Sequence, residues 1–337
     1  MAVFLTGSTG FLGQRLVEAL TIRRTKVKAL VRPNRDTSVL DPDWVEPVGG
    51  DLTDASVVRA TMSGCDTVIH TALPDGACRR NDHDRVNVEG FRHVMDAAWH
   101  HGVKHIVYVS SFLALGPSFG EVRNEEHLRG ERQHPTGFER TRGVAEGLTR
   151  SYISGGLPLS VVYPTLMYGP GEIAGGNLLS QLLVDRADGR LTSPPFDHGH
   201  RLSLAYVGDV ADGICRVLAY AGGGDRFILG GENISVADIL RVFASVGGLR
   251  GTANIGAGSS ALSRLAAWGT RLARMTSPAT RRILDLMQED WAFSSARAEE
   301  QIGYKIRPLK DGMRRTVDDL RERGLLRGVS TVNATRG

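Results

Sequence analysis

A short apolar strand running into three glycines spaced by three, with a helical pattern behind them, limits this chain more than any other feature. The run is Val3-Phe4-Leu5-Thr6-Gly7-Ser8-Thr9-Gly10-Phe11-Leu12-Gly13. Bare backbone at a helix start points N–H groups and the positive end of the helix dipole at an anion. Gly7 lets the chain turn, Gly10 lets a pyrophosphate approach, and Gly13 lets the helix pack on the strand. The loop is therefore a dinucleotide cradle, with Gly7, Thr9, Gly10, Phe11, Leu12 and Gly13 as its candidate contacts.

Strand and helix alternate through the first half. Strands are expected at Val3–Leu5, Lys26–Val31, Val45–Val48, Thr67–Thr71, Ile106–Ser110 and Ser160–Tyr163. Helices are expected at Gln14–Ile22, Ser56–Met62, Val86–His101 and Phe138–Ser154. This alternation predicts an α/β fold, a doubly wound parallel sheet of the Rossmann kind. The second half is less regular. Gly171–Gly176 and Ser193–Gly199 read as loops, Arg201–Val207 and Arg226–Leu229 as strands returning to the sheet, and Leu309–Glu322 as a terminal helix. Ala261–Met275 reads as an amphipathic basic helix with Leu262, Leu265, Leu272 and Met275 on one side, a core or lid element first, with a substrate wall or a membrane-touching surface as the alternatives. The expected domains are a dinucleotide-binding unit over 1–170 with returning segments at about 201–230, and a smaller, mainly helical substrate unit from 171–200 and 231–325. A disordered tail is expected over 328–337.

Composition excludes several classes. The formal net charge of the 337 residues is only +4, and the arginines are spread rather than blocked, which argues against a nucleic-acid partner. No apolar run reaches the length of a membrane span, and the first apolar segment lacks the basic flank of a signal peptide. Cys65, Cys78 and Cys215 are odd in number and in no metal spacing, which suits a reducing cytoplasm and no metal site.

Further motifs follow the glycine loop in order: Gly50-Asp51-Leu52, His70-Thr71-Ala72, Val86-Asn87-Val88-Glu89-Gly90, and Tyr108-Val109-Ser110-Ser111. Tyr163-Pro164 through Tyr168-Gly169-Pro170 and Tyr206-Val207-Gly208-Asp209-Val210-Ala211 complete the set. With these, residues 1 to about 322 resemble the extended short-chain dehydrogenase/reductase family, in the branch of NAD-dependent epimerase/dehydratase, dihydroflavonol reductase-like and 3β-hydroxysteroid dehydrogenase-like proteins. The resemblance implies that Asp51 and Leu52 hold the adenine, that Thr71 and Ala72 line the cofactor ribose, and that Pro164 borders the cofactor. It implies that Asn87 supports the active site and that Ser111 is the catalytic serine, with Gly116 at the family spacing. It also implies a homodimer through the helices Val86–His101 and Phe138–Ser154.

At the end of the second strand an acidic residue would favour NAD by bonding the ribose 2′-hydroxyl. This chain has Arg32 there, with Arg35 close by, and a guanidinium matches a phosphate in charge and geometry. The expected cofactor is NADP(H).

The family's Tyr-x-x-x-Lys is missing. Phe138 stands where the tyrosine belongs and Arg142 where the lysine belongs, in Phe138-Glu139-Arg140-Thr141-Arg142. No change of register recovers the pair, because lysine occurs only at 26, 28, 104, 305 and 310. Phenylalanine has no proton to give, and arginine stays protonated at any working pH, although it can still bond ribose hydroxyls. Three readings follow. The chain is a carbonyl or alcohol oxidoreductase with another proton donor: Tyr168, Ser111, Glu139 or a water. Or it runs a non-redox reaction such as dehydration, isomerisation or cyclisation. Or it is a non-catalytic cofactor sensor or scaffold. Leu178, Leu179, Leu182, Phe196, Leu262, Leu265, Trp268 and Trp291 are the candidate walls of a pocket for a small hydrophobic substrate, such as a polyketide, terpenoid or steroid-like ketone. His198, His200 and Arg201 are loop candidates near it, and Arg281-Arg282 reads as a solvated helix face.

Overall fold

A computed structural model describes residues 2–73, 83–127, 137–173, 176–191, 199–220, 222–247 and 277–326. The side chains of Phe138, Pro278 and Ala279 lie outside that description. So do several expected features: Cys78, the loop at 193–198 with Phe196 and His198, the helix Ala261–Met275 with Trp268, and the tail.

The first βα unit forms as expected. Strand β1 (Ala2–Thr6) enters the glycine loop and helix α1 (Phe11–Ile22) follows, starting three residues earlier than the sequence pattern suggested. Six more strands join β1 in one sheet: β2 (Lys26–Val31), β3 (Val45–Gly49), β4 (Thr67–His70), β5 (His105–Val109), β6 (Leu159–Pro164) and β9 (Arg226–Leu229). Their order is β3-β2-β1-β4-β5-β6-β9, and every neighbouring pair is parallel. The order reverses between β1 and β4, and a ligand crevice opens beyond the strand ends at such a reversal.

Both faces of the sheet are buried, so successive strand residues feed opposite cores. Phe4, Val68, Ile106, Tyr108, Val161 and Tyr163 pack on one side. There they meet α2 (Ala55–Met62), α3 (Gly90–His101) and α4 (Gly137–Ser154). Val3, Leu5, Ile69, Val107, Val109 and Val162 pack on the other, against α1 and α6 (Val207–Ala219). Local signals fix the helix ends. Asp54 caps α2 by accepting from Ser56 and Val57 N–H, and Gly102 ends α3 in the left-handed region.

Two expectations need correction. The segment Arg201–Val207 does not return to the main sheet. Its strand β8 (Arg201–Tyr206) pairs with β7 (Leu166–Tyr168) and β10 (Glu232–Ser235) in a separate three-stranded sheet, and Val207 already opens α6. The helix expected from Val86 begins with a π-turn at Arg85–Glu89 before α3. After Gly176 the chain forms α5 (Leu178–Ala187). The remaining helices are α7 (Val236–Gly247), α8 (Pro278–Leu286), α9 (Ala296–Ile302) and α10 (Leu309–Glu322). Asp185 of α5 ties α8 in place: it is fully buried and accepts from Ser277 N–H (3.1 Å) and the Thr280 hydroxyl (2.6 Å).

Candidate functional site

A cavity of about 780 Å³ lies across the carboxyl ends of β2, β1, β4, β5 and β6. Its floor is the glycine loop. Gly7 has φ +79°, and a Cβ there would stand 2.6 Å from Thr71 Oγ1 and 2.9 Å from the Ala72 nitrogen. A Cβ on Gly13 would overlap the Gly7 carbonyl oxygen. Gly10 caps α1 with no side chain, so the first N–H groups of the helix stay free of a side-chain cap. Thr71 Oγ1 donates to the Thr6 carbonyl (3.0 Å) and Ala72 N–H to Thr6 Oγ1 (3.3 Å), which laces the ends of β1 and β4 together.

The structure brings together Gly7, Thr9, Gly10, Phe11, Leu12 and Gly13 with Arg32, Asp51, Leu52, Thr71, Ala72, Arg142 and Pro164 in the wall of this one cavity. Ser111 and Arg35 are there too. Burial works against ionisation of Asp51, but two hydrogen bonds from Thr53 and the charges of Arg32 and Arg85 outweigh it and hold its carboxyl below the usual value. These features fit a dinucleotide: a loop that side chains cannot enter, an uncapped helix start, and a carboxylate beside two arginines at one end. Ser110 fits as well, since its Oγ is buried in the wall without a hydrogen-bond partner among the described residues.

Ser111 opens a 3₁₀ turn at Phe112–Ala114, and its Oγ accepts from Leu113 N–H (3.3 Å). Arg142 enters the cavity wall from α4. Its Nη1 donates to the Tyr108 hydroxyl (2.6 Å), and its guanidinium carbon lies 5.8 Å from the centre of that ring. Tyr108 stacks on His70 at 5.6 Å, and His70 Nδ1 meets Thr6 Oγ1 at 2.7 Å. Full burial, helped by the Arg142 charge, pushes the His70 pKa down to about 3, so the ring is neutral. One turn further along α4, Glu146 accepts from the Tyr163 hydroxyl (2.9 Å) and pairs with Arg226 of β9. The Asn87 amide donates to Thr141 Oγ1 (2.9 Å).

Other candidates fall outside the cavity. Tyr168 is 1% exposed and packs edge-on against Tyr206 at 5.8 Å. Burial, with Asp209 and Glu232 nearby, holds its hydroxyl well above the usual tyrosine value, so this placement does not suit a proton donor. Glu139 is buried and is not part of the cavity wall. His200 bonds the Met287 carbonyl, and Arg201 pairs with Asp290. Leu179, Leu182 and Trp291 are core residues, and among the described residues of the expected apolar wall only Leu178 reaches the cavity. The structure adds residues that no sequence signal singles out as cavity-lining: His83, Leu113, Leu166, Leu286 and Arg282, the last of which, expected as a solvated helix face, lines the cavity while staying partly exposed. Among the described residues, no group of three or more His, Cys, Asp or Glu is placed to hold a metal ion, and no helix is long and apolar enough to cross a membrane.

The model of the NAD dependent epimerase/dehydratase family matches residues 3–230. Sterol demethylase protein B of Methylococcus capsulatus is 32% identical over 247 residues, 72% of this chain and 73% of that protein. A 4-hydroxy-2-methyl-3-oxo-4-farnesyl-3,4-dihydroquinoline-1-oxide ketoreductase of Stigmatella aurantiaca is 25% identical over 313 residues, 90% of this chain and 92% of that one. Among solved structures, the crystal structure of gox2253 superposes with a TM-score of 0.81 at 30% identity, covering 96% of this chain and 99% of the other.

Proposed function

This chain belongs to the NAD-dependent epimerase/dehydratase family, and from that premise we propose that it is an NADP(H)-dependent oxidoreductase. It interconverts a carbonyl and an alcohol on a small hydrophobic substrate, of natural-product or steroid-like kind, with a proton donor other than the family's tyrosine. The observation that carries this reading is the continuity of the cavity. Arg32 lies at the end of β2, the glycine loop at β1, Ser111 at β5 and Pro164 at β6. These strands stand in the order β2-β1-β4-β5-β6. At about 4.8 Å per strand the span is roughly 19 Å, the scale of an extended dinucleotide with its reactive end beside Ser111.

A bound nicotinamide dinucleotide supplies hydride chemistry; the other tasks belong to the chain. The glycine loop and the start of α1 bind the pyrophosphate. Arg32, with Arg35, takes the 2′-phosphate, and Asp51 and Leu52 the adenosine half. Arg142 holds ribose hydroxyls from its seat on Tyr108. Ser111 bonds the substrate oxygen. Leu113, Leu166, Leu178 and Leu286 exclude water from the substrate's apolar body. The names of the sterol demethylase and ketoreductase relatives support oxidoreduction on hydrophobic ring systems. The missing tyrosine favours one second reading, a non-redox dehydratase, isomerase or cyclase on the same scaffold. Exposed Trp99 on α3 and Val144 on α4 support a homodimer through these helices, and the free, buried Cys65 and Cys215 support a reducing cytoplasm.

The test is a binding titration of the purified chain with NADPH and, separately, NADH. NADPH should bind roughly tenfold or more tightly than NADH, the ~1.5–3 kcal/mol of a hydrogen bond to a charged group. Arg32→Ala should remove most of that preference. Binding of neither nucleotide overturns the proposal.

A further inference from the structure

We propose that His83 gives the substrate oxygen its proton, in place of the tyrosine that position 138 lacks. The inference rests on the reading of the site as a carbonyl reductase. Few groups in the cavity wall can release a proton. Its arginines stay charged. Asp51 is held as a carboxylate at the β2–β3 end of the cavity. Glu172 is exposed, on the loop whose Gly171 and Gly176 face Phe11 above the glycine loop. Ser111 carries an alcohol, which positions an oxygen but is a weak acid. Among the described residues of the wall His83 remains, half-buried. Histidine is the side chain whose ordinary pKa, about 6.5, suits proton delivery near neutral pH.

Its placement is set by the helix that lost the acid. His83 precedes the Arg85–Glu89 turn, and two bonds clamp this stretch to the first turns of α4. Asp84 accepts from Arg140 at 2.5 Å, and Asn87 donates to Thr141 at 2.9 Å. Gly137 and Arg142, which flank position 138 on α4, share the cavity wall with His83. Among the described residues, the charged groups on this stretch and on the α4 turns packed against it are the Asp84–Arg140 pair, Arg85, which reaches Thr53 Oγ1 at 3.3 Å, buried Glu139, and Arg142.

In the reducing direction the carbonyl carbon gains a hydride from a reduced nicotinamide dinucleotide, which is thereby oxidised. The carbonyl π pair moves to oxygen, and the oxygen takes the proton of the His83 imidazolium. His83 is left neutral and regains its proton from water at its half-exposed edge.

The test uses the full chain, NADPH, and trans-1-decalone as a probe ketone, comparing the parent with His83→Gln. NADPH should bind both proteins equally. Oxidation of bound NADPH by decalone in a single turnover should slow roughly 10²–10⁴-fold in the variant. The parent rate should fall as pH rises through the histidine's pKa, the variant should lose that dependence, and added imidazole should restore part of its rate. An unchanged rate and pH profile in His83→Gln overturns the proposal. If decalone is not reduced by the parent, the His83 imidazole signal decides, assigned in the NMR spectrum by its loss in the variant. A signal that titrates near neutral pH and shifts on addition of NADPH with decalone supports the assignment, and an indifferent signal overturns it. Failure of the parent to bind NADPH overturns the reductase reading instead, and the first titration shows it.

Discussion

Arg142 of α4 donates a 2.6 Å hydrogen bond to the Tyr108 hydroxyl of β5, and both side chains are almost sealed from solvent, at 2% and 1% exposure. A buried guanidinium needs acceptors, and this phenol is one that β5 places beneath the cavity. Tyr108→Phe removes the acceptor and leaves the positive charge in place. The variant should lose about 1.5–3 kcal/mol of stability in urea denaturation. It should also bind NADPH and NADH more weakly by a similar factor, because ribose hydroxyls are common to both. A change in the NADPH-to-NADH preference would contradict this, since the proposal assigns that preference to Arg32, just beyond the end of β2.

His70 predicts a pH dependence with a definite sign. Its folded pKa is pushed down to about 3, first by burial and then by the Arg142 charge, against about 6.5 in an unfolded chain. Between these values the unfolded state binds the extra proton, so stability rises with pH there and is lost as pH falls. Above the unfolded value the site contributes no slope. One such site changes stability by at most ~1.4 kcal/mol per pH unit. His105, also buried and lowered, adds the same sign. Urea unfolding of the parent at stepped pH below neutral should show this slope, and His70→Gln should show it reduced by one proton's worth. Equal slopes would mean that His70 is protonated in the folded protein.

Local chemistry makes the half of the cavity at β1 and β2 readable. Strand β1, the glycine loop and the start of α1 lie within the first thirteen residues, so strand, turn and helix start can be argued from neighbours along the chain, and Arg32 and Asp51 stand just beyond strand ends whose places the alternation fixes. The remainder depends on pairings that sequence spacing does not encode. Arg201–Tyr206 has the alternation of a strand, but which sheet accepts it is decided by Leu166–Tyr168 and Glu232–Ser235, two segments too short to signal themselves. Tyr168 looked like an acid because its motif borders active sites, yet it stands against the terminal helix, where a Cβ on Gly312 would overlap its hydroxyl. Arg282 and His83 carry no periodic signal. The first faces the cavity because Asp185 fixes the start of α8, and the second because Asp84 and Asn87 are bonded to α4.

Two glycines separate the fold from the cradle. A Cβ on Gly10 meets only the Gly7 carbonyl oxygen, at 3.3 Å, and the residue's φ of −83° is open to alanine. Gly10→Ala should therefore cost no more than about 1 kcal/mol of stability, the scale of a helix N-cap change. Its methyl group would stand at the start of α1, where the proposal seats the pyrophosphate, so NADPH binding should weaken roughly tenfold or more, the effect of displacing a hydrogen bond to a charged group. Gly13→Ala behaves differently. Its Cβ would overlap the Gly7 carbonyl, so α1 must move off β1, and stability should fall by roughly 1–3 kcal/mol as in an overpacked core. Urea denaturation and an NADPH titration on both variants check the contrast. If Gly10→Ala destabilises as much as Gly13→Ala while leaving NADPH binding intact, the loop is a packing device and the phosphate lies elsewhere.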